Sequence, residues 1–247
     1  VIPGRLIATF ATALVIVAGL GYALSQTILS RPPLVVAQQP QYVEAPSPET
    51  RMAKQPGDAP AAPTKVDPRW VTSMANKAGI PAPAVRAYAN AQLSEPRTCK
   101  VGWTTLAGIG WVESQHGTIG GRTLGDDGHS STPVLGPALD GKDFAAIRAT
   151  PESTTWHGDP TWDHAVGPLQ FIPSTWETWG SDGDGDGVAD PNDIDDAAYT
   201  AARYLCADGH DLTTGAGWAD AVFGYNHDQS YVESVYAAAS AYADRTS

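Results

Sequence analysis

The chain has 247 residues, 42% of them hydrophobic, which suits one good-sized globular domain with accessory segments. A formal net charge of -12 argues against a nucleic-acid backbone or an anionic membrane surface as the main partner. Seven of the 27 acidic residues fall between Asp182 and Asp196, so much of that charge is local and needs a local explanation.

From Leu6 to Leu29 the chain runs for 24 residues without a charge, rich in Ala, Val, Leu and Ile and flanked by Arg5 and Arg31. Such a run is long enough to cross a bilayer. Residues 1–31 therefore read as a transmembrane anchor or a signal segment. Small residues at Val35-Val36-Ala37 suit a signal peptidase but lie far beyond the apolar run, which favours the anchor and makes the cytoplasmic membrane a partner. In both cases the body of the chain is extracytoplasmic. Residues 32 to 68 hold nine prolines among Ala, Gln and Val, without apolar periodicity. This composition makes 32–66 a disordered Pro/Ala-rich linker, because it offers no hydrophobic cluster to offset the entropy of ordering.

The folded domain is expected over 67–247 and is mainly α. Trp70, Val71 and Met74 suggest a first helix, and Pro81 to Leu93 a second. A third starts near Thr104. From Thr118 to Val166 the chain is rich in Gly, Asp, Ser and Thr, with Lys142 to Arg148 as its one helical hint; loops of this length are usually functional or mobile. Ser174-Thr175-Trp176-Glu177 has the spacing of a capping box, with Gly180 to close the helix. Asp193 to Cys206 forms an alanine-rich helix with Asp195 and Asp196 favourably placed in its first turn. Trp218 to Phe223 reads as a short helix. Ser230-Tyr231-Val232-Glu233 repeats the capping pattern and opens a last helix, with Val232, Val235, Tyr236 and Ala239 inward. No alternating strand pattern of useful length occurs.

In the third helix Leu106, Ile109, Gly110 and Glu113 share one face. A glutamate on an apolar stripe loses hydration of its charged form, so its pKa rises and it can hold a proton near neutral pH to give to a leaving group. A structural ion pair is the other way to explain a glutamate there. Gly108 and Gly110 permit close approach to this helix, and Gly117 suits its termination.

Cys99 and Cys206 form an even pair in an exported chain, which is most simply a disulfide. Closing a loop of that length stabilises a fold by roughly 4 to 5 kcal/mol in the chain-entropy model. Downstream, Asp182-Gly183-Asp184-Gly185-Asp186-Gly187-Val188-Ala189-Asp190-Pro191-Asn192-Asp193 places oxygen-bearing side chains at positions 1, 3, 5, 9 and 12 with Gly at 6, as in the twelve-residue calcium loop of an EF-hand. Val188 would add its carbonyl. So many like charges repel unless a cation neutralises them. The calcium is read as structural, setting the angle between the helices on either side.

Glu113 within Gly-Trp-Val-Glu-Ser-x-x-Gly, then Gly167-Pro168-Leu169-Gln170-Phe171-Ile172-Pro173-Ser174-Thr175-Trp176, the acidic loop, and Tyr225-Asn226-His227 with Tyr231-Val232 resemble the lytic murein transglycosylases of the membrane-bound type B family. The resemblance runs from about Val66 to the end of the chain. It implies a lysozyme-like helical domain that cleaves peptidoglycan glycan strands, with Glu113 as acid and base. It also implies that Gln170 and Phe171 line a saccharide groove, that Tyr225 and Asn226 border the site, that Thr161 lies near the substrate's acetamido group, and that Asp182, Asp184, Asp186, Val188 and Asp193 hold calcium. Two departures stand out: Leu169 where many relatives have Met, and no paired arginines between Gly120 and Asp163, which leaves Arg122 as the groove candidate.

The motif residues around Glu113 are uncharged, whereas a glycosidase ordinarily needs a second carboxylate. The expected reaction is therefore non-hydrolytic cleavage between N-acetylmuramic acid and N-acetylglucosamine, leaving 1,6-anhydro ends. A lysozyme-type hydrolase would need Asp126, Asp127 or Asp163 as its second carboxylate. A non-catalytic, calcium-stabilised wall-binding module is the other alternative.

Overall fold

The computed structural model describes residues 46–50, 65–94, 100–142 and 145–247. Eight α-helices are described: α1 (Pro68–Ala78), α2 (Ala82–Ser94), α3 (Trp103–Ser114), α4 (Pro151–His157), α5 (Pro173–Trp179), α6 (Ile194–Cys206), α7 (Gly215–Tyr225) and α8 (Gln229–Thr246). Two short strands, β1 (Leu135–Ala138) and β2 (His164–Val166), pair antiparallel. The mainly helical expectation holds. No helix among the described residues is long and apolar enough to cross a membrane, and the Leu6–Leu29 run lies outside those residues.

Helix α3 is the axis of the fold. From Trp103 to Gly110 each of its residues is buried, because α2, α6, α7 and α8 leave it little contact with solvent. The glycines on α3 serve packing within the chain. A Cβ at Gly110 would collide with the Tyr88 hydroxyl, and one at Gly108 would come within 2.7 Å of the Val235 carbonyl on α8. Trp103 meets Trp70 of α1 edge-on at 5.6 Å, and Trp218 Nε1 of α7 donates to Thr105 Oγ1 at 2.9 Å. A polar clasp holds the C-terminal end. His116, with φ +61°, lies between the Tyr88 hydroxyl at 3.1 Å and the Tyr242 hydroxyl at 2.9 Å, and burial pushes its pKa down to about 3, so it stays neutral.

Several sequence expectations need correction. Among the described residues of the Lys142 to Arg148 stretch none is helical; the helix described in this region is α4, opened by a reciprocal capping box between Thr150 and Ser153 with Pro151 at its first position. The stretch from Thr118 to Val166 is also not uniformly loop, since β1 and β2 close across it in a short irregular ladder. Ser174 and Ser230 cap nothing at the N-cap position: Ile172 precedes α5, whose Pro173 lacks an N–H, and Asp228 caps α8 by accepting from Ser230 N at 2.7 Å. Parts of the stretch read as linker lie against the domain. Thr50 bridges to Val66, Asp67 N donates to Glu49 O at 2.7 Å, and Pro46 O accepts from Trp103 Nε1 at 3.1 Å. Those backbone groups are engaged, so residues 46–50 are an ordered strap, unlike the disordered chain their composition suggests.

Candidate functional site

Glu113 sits in the last turn of α3, one residue before its end. Its side chain is partly buried, and the Tyr231 hydroxyl of α8 donates to Oε1 at 2.6 Å. Desolvation pushes the carboxyl up to about 7, opposed by that hydrogen bond, which favours the charged form. No Lys or Arg among the described residues pairs with it, so the ion-pair explanation falls away. The carboxyl is thus poised near neutrality with one uncharged partner, as a group that gives and retakes a proton requires.

Aromatic rings build the wall behind it. Tyr231 and Tyr225 stack in parallel at 6.4 Å, Tyr225 donates its hydroxyl to the Leu169 carbonyl at 2.8 Å, and Phe171 meets both Tyr225 and Trp176 edge-on. The Gly167–Gln170 turn is bonded to the end of α3 through Ser114 Oγ, which donates to the Pro168 carbonyl at 2.5 Å. Gly167 has φ +79°, and a Cβ there would overlap the Pro191 carbonyl, so the turn demands glycine on two counts. Gln170 also adopts a left-handed φ of +51°, a conformation that costs a non-glycine residue about 1 kcal/mol or more. Its Nε2 donates to the Gly167 carbonyl at 2.9 Å and the Val134 carbonyl at 3.2 Å, and no described residue donates to its Oε1. That oxygen is the free end of the strained turn.

The expected site residues therefore separate. Glu113, Gln170 and Tyr225 come together around one turn. Phe171 is a correction to the groove lining: it is 4% exposed and packs behind Tyr225, because its ring is needed to fill the space between α5 and α7. Asn226 is the exposed C-cap of α7, with its amide in solvent. Thr161 is exposed on the loop between α4 and β2, its N–H on Asp159 Oδ1 at 2.7 Å, and no contact among the described residues joins it to Glu113. Arg122 spends its guanidinium within its own loop, donating to the carbonyls of Ile119, Thr132 and Pro133. Tyr231 is the partner that sequence reasoning missed. The signal lay in its place one turn into a helix whose inward face was otherwise recognised.

Removing the Tyr231 hydroxyl removes the one interaction that favours ionised Glu113. In Tyr231→Phe the Glu113 pKa is expected to rise above about 7, read by carbon NMR of labelled glutamate carboxyls. A fall, or no change, would show that the bond does not act on the carboxylate.

The acidic loop is a separate centre. One carboxylate oxygen from each of Asp182, Asp184 and Asp196 lies within 4.8 Å of the other two. Asp182 accepts from the N–H groups of Gly185 and Gly187, which hold its carboxyl below the usual range, and Asp186 accepts from Val188 N. Asp193 does not join the cluster. It caps α6, accepting from Asp195 N at 2.7 Å, and lies beside His129 on the other side. Asp196, three residues on, stands with Asp182 and Asp184 and accepts from Gly183 N at 2.7 Å and Asp190 N at 2.9 Å. Burial, and then repulsion from Asp184 and Asp182, push Asp196 up to about 6 against those bonds. An all-oxygen donor set under mutual repulsion fits a hard divalent cation such as calcium. The neighbouring Asp195 is not available to it, because Arg86 of α2 pairs with that carboxylate at 2.6 Å.

The Cys99–Cys206 expectation lies partly outside the described residues. Cys206 ends α6 and is not a free thiol, while Cys99 is not described.

Residues 152–231 match the model of the Transglycosylase SLT domain. The matched stretch includes Gln170, the acidic loop, Tyr225 and Tyr231, and begins after α3 and Glu113. Among solved structures, the chain is similar to the Escherichia coli lytic transglycosylase Slt35, in complex with bulgecin A and in complex with calcium. Each is 16% identical with a TM-score of 0.43, over 70% of this chain and 74% of that chain. No curated protein matches the chain.

Proposed function

We propose that this chain is a peptidoglycan lytic transglycosylase of the membrane-bound type B kind, acting outside the cytoplasmic membrane on glycan strands, with Glu113 as its single acid and base. The observation that carries this reading is the isolation of a carboxyl poised near 7. Its upward shift comes from burial, partly offset by the Tyr231 hydrogen bond, with no second carboxylate contributing. Two of the three aspartates that a hydrolase could use are engaged elsewhere: Asp163 is buried with Ser153 and His157, and Asp127 Oδ1 accepts from His129 N; none of the three, Asp126 included, acts on the Glu113 carboxyl. A water-delivering base is therefore missing beside Glu113, although both glycosidase geometries require a second carboxyl group.

In this mechanism the protonated Glu113 gives its proton to the glycosidic oxygen between N-acetylmuramic acid and N-acetylglucosamine as that bond breaks. The substrate's acetamido group stabilises the positive charge at the anomeric carbon. Glu113, now a carboxylate held by Tyr231, takes the proton of the muramic 6-hydroxyl as its oxygen bonds the anomeric carbon. The 6-hydroxyl and the anomeric carbon belong to the same muramic acid residue, so the attack is intramolecular and gains from proximity. Gln170 Oε1 is the acceptor for a sugar hydroxyl or amide, and Asn226 and Thr161 border the groove farther out. The experiment is digestion of purified peptidoglycan in heavy-oxygen water with mass analysis. Unlabelled 1,6-anhydro ends are expected, and labelled reducing ends would make the enzyme a hydrolase.

Calcium in this reading is structural and supplies no chemistry. Asp182, Asp184, Asp186 and Asp196 would hold it, with the Val188 carbonyl. The Cys99–Cys206 disulfide would fasten the end of α6 to the segment that leads into α3. Mass measurement after alkylation, with and without prior reduction, checks the pairing: no alkylation of the unreduced exported protein is expected, and two alkylated thiols would refute it.

A further inference from the structure

The chain reverses just past Glu113. Gln115, His116 and Gly117 adopt left-handed φ values of +54°, +61° and +80° in succession, although only the third is a glycine. That conformation is unfavourable for Gln and His, and it persists only where the surroundings hold it. Gln115 is exposed, whereas His116 is 2% exposed and bonded through its backbone and both ring nitrogens. His116 N donates to the Gly110 carbonyl at 2.7 Å. The holding therefore falls to His116.

The bonds of its ring have a definite direction. Tyr88 is wholly buried and its hydroxyl has no other partner among the described residues, so it donates to Nδ1; otherwise its proton would be stranded. Nε2 then carries the ring proton and donates to the Tyr242 hydroxyl at 2.9 Å. One neutral imidazole thus ties α2 to α8 across the end of α3. Gly110 belongs to the same device, because a side chain there would occupy the place of the Tyr88 hydroxyl. The exposed Trp111 ring covers the imidazole at 5.9 Å. The turn also fixes Ser114, whose Oγ accepts from Gly117 N at 2.7 Å and donates to the Pro168 carbonyl. Glu113 and the Gly167–Gln170 turn are therefore joined through one residue, Ser114, that the His116 turn holds in place.

We infer that His116 is a positioning residue for Glu113: by tying Tyr88 to Tyr242 it closes the last turn of α3, which keeps the carboxyl on the Tyr231 hydroxyl and in register with Gln170. The inference rests on the glycan-cleaving reading. It assigns the strained turn a part in the reaction, since a small displacement of an acid from its substrate costs one to two orders of magnitude in rate.

The test is His116→Phe, which keeps a ring and removes both side-chain bonds, read by carbon NMR of the labelled Glu113 carboxyl and by kinetics on soluble glycan strands. A loosened last turn admits water to Glu113, so its pKa is expected to fall from about 7 towards the ordinary 4.5. Turnover at saturating glycan is expected to fall at least tenfold, with KM changed less than threefold. Tyr242→Phe, which leaves the Tyr88 bond in place, is expected to show the same changes at smaller size, and it decides alone by the same two readouts if His116→Phe does not fold. A lower melting temperature with unchanged Glu113 titration and unchanged turnover per folded molecule would make the clasp purely structural and overturn the inference, while the enzymatic reading stands. If the parent protein cleaves no glycan, the enzymatic reading falls and the inference falls with it.

Discussion

Glu113→Gln is expected to reduce glycan cleavage by at least a hundredfold while leaving the fold intact. General acid–base catalysis contributes about 10²–10⁴-fold, and here one carboxyl serves both steps. The amide keeps the size and can still accept from Tyr231, so the loss would be chemical. Zymography and product analysis on folded variant check it; activity above about a hundredth of the original would place the acid elsewhere. A second readout separates this site from a merely structural glutamate. Its folded pKa of about 7 lies above the ordinary 4.5, so the folded chain keeps a proton that the unfolded chain releases. Stability from this group is fully present below pH 4.5 and is lost as pH rises through about 7. The variant should therefore gain thermal stability relative to the parent at pH 8 and show no such gain at pH 4. A gain of equal size at both pH values would mean that the raised pKa is not what the substitution removes.

Calcium should raise the melting temperature of the domain, and the effect should depend on Asp196 and not on Asp193. Binding to the folded state alone stabilises by about 2.7 kcal/mol at a hundred times the dissociation constant, or roughly 5 to 10 °C for a domain of this size. Asp196→Ala removes a carboxylate from the cluster with Asp182 and Asp184, so the calcium-dependent rise should vanish. Asp193→Ala removes a helix cap, at a cost of about 1 kcal/mol, and should lower the starting temperature while keeping the rise. Scanning calorimetry with calcium, magnesium and a chelator decides between them. The opposite pattern, or an equal response to magnesium, would restore the twelve-residue register or dismiss the calcium reading.

The difference between Asp193 and Asp196 shows where reading along the chain reaches its limit. The spacing from Asp182 to Asp193 matched a known loop, and the alternation of Asp and Gly correctly located a winding acidic turn. What spacing could not tell is that Asp193 is also the N-cap of α6. A carboxylate that accepts from the Asp195 N–H is turned away from Asp182, and the aspartate one turn later, at the third helical position, points back. Two roles compete for one residue, and in this structure Asp193 packs against Gly128 and His129 as the helix cap.

The same division holds for the candidate active site. Periodicity alone placed Glu113 on the face shared by Leu106 and Ile109, because a helix with that repeat has one apolar side wherever it is packed. The helical class and the approximate extents of α1, α2, α3, α6 and α7 follow from local patterns of the same kind. Tyr231 is a different matter. It stands 118 residues from Glu113, and only the packing of α8 across α3 at Gly108 brings its hydroxyl to the carboxylate. The irregular stretch from Thr118 to Val166 was likewise illegible, since its order comes from long-range pairs such as Leu135 with Val166 and His129 with Asp193, which leave no period in the sequence. Local sequence thus put Glu113 in register with Leu106 and Ile109, because the repeat of a helix is written in a few consecutive turns. Tertiary structure decided what surrounds its carboxyl, because desolvation and a hydrogen bond from a distant helix exist only once the chain has closed on itself.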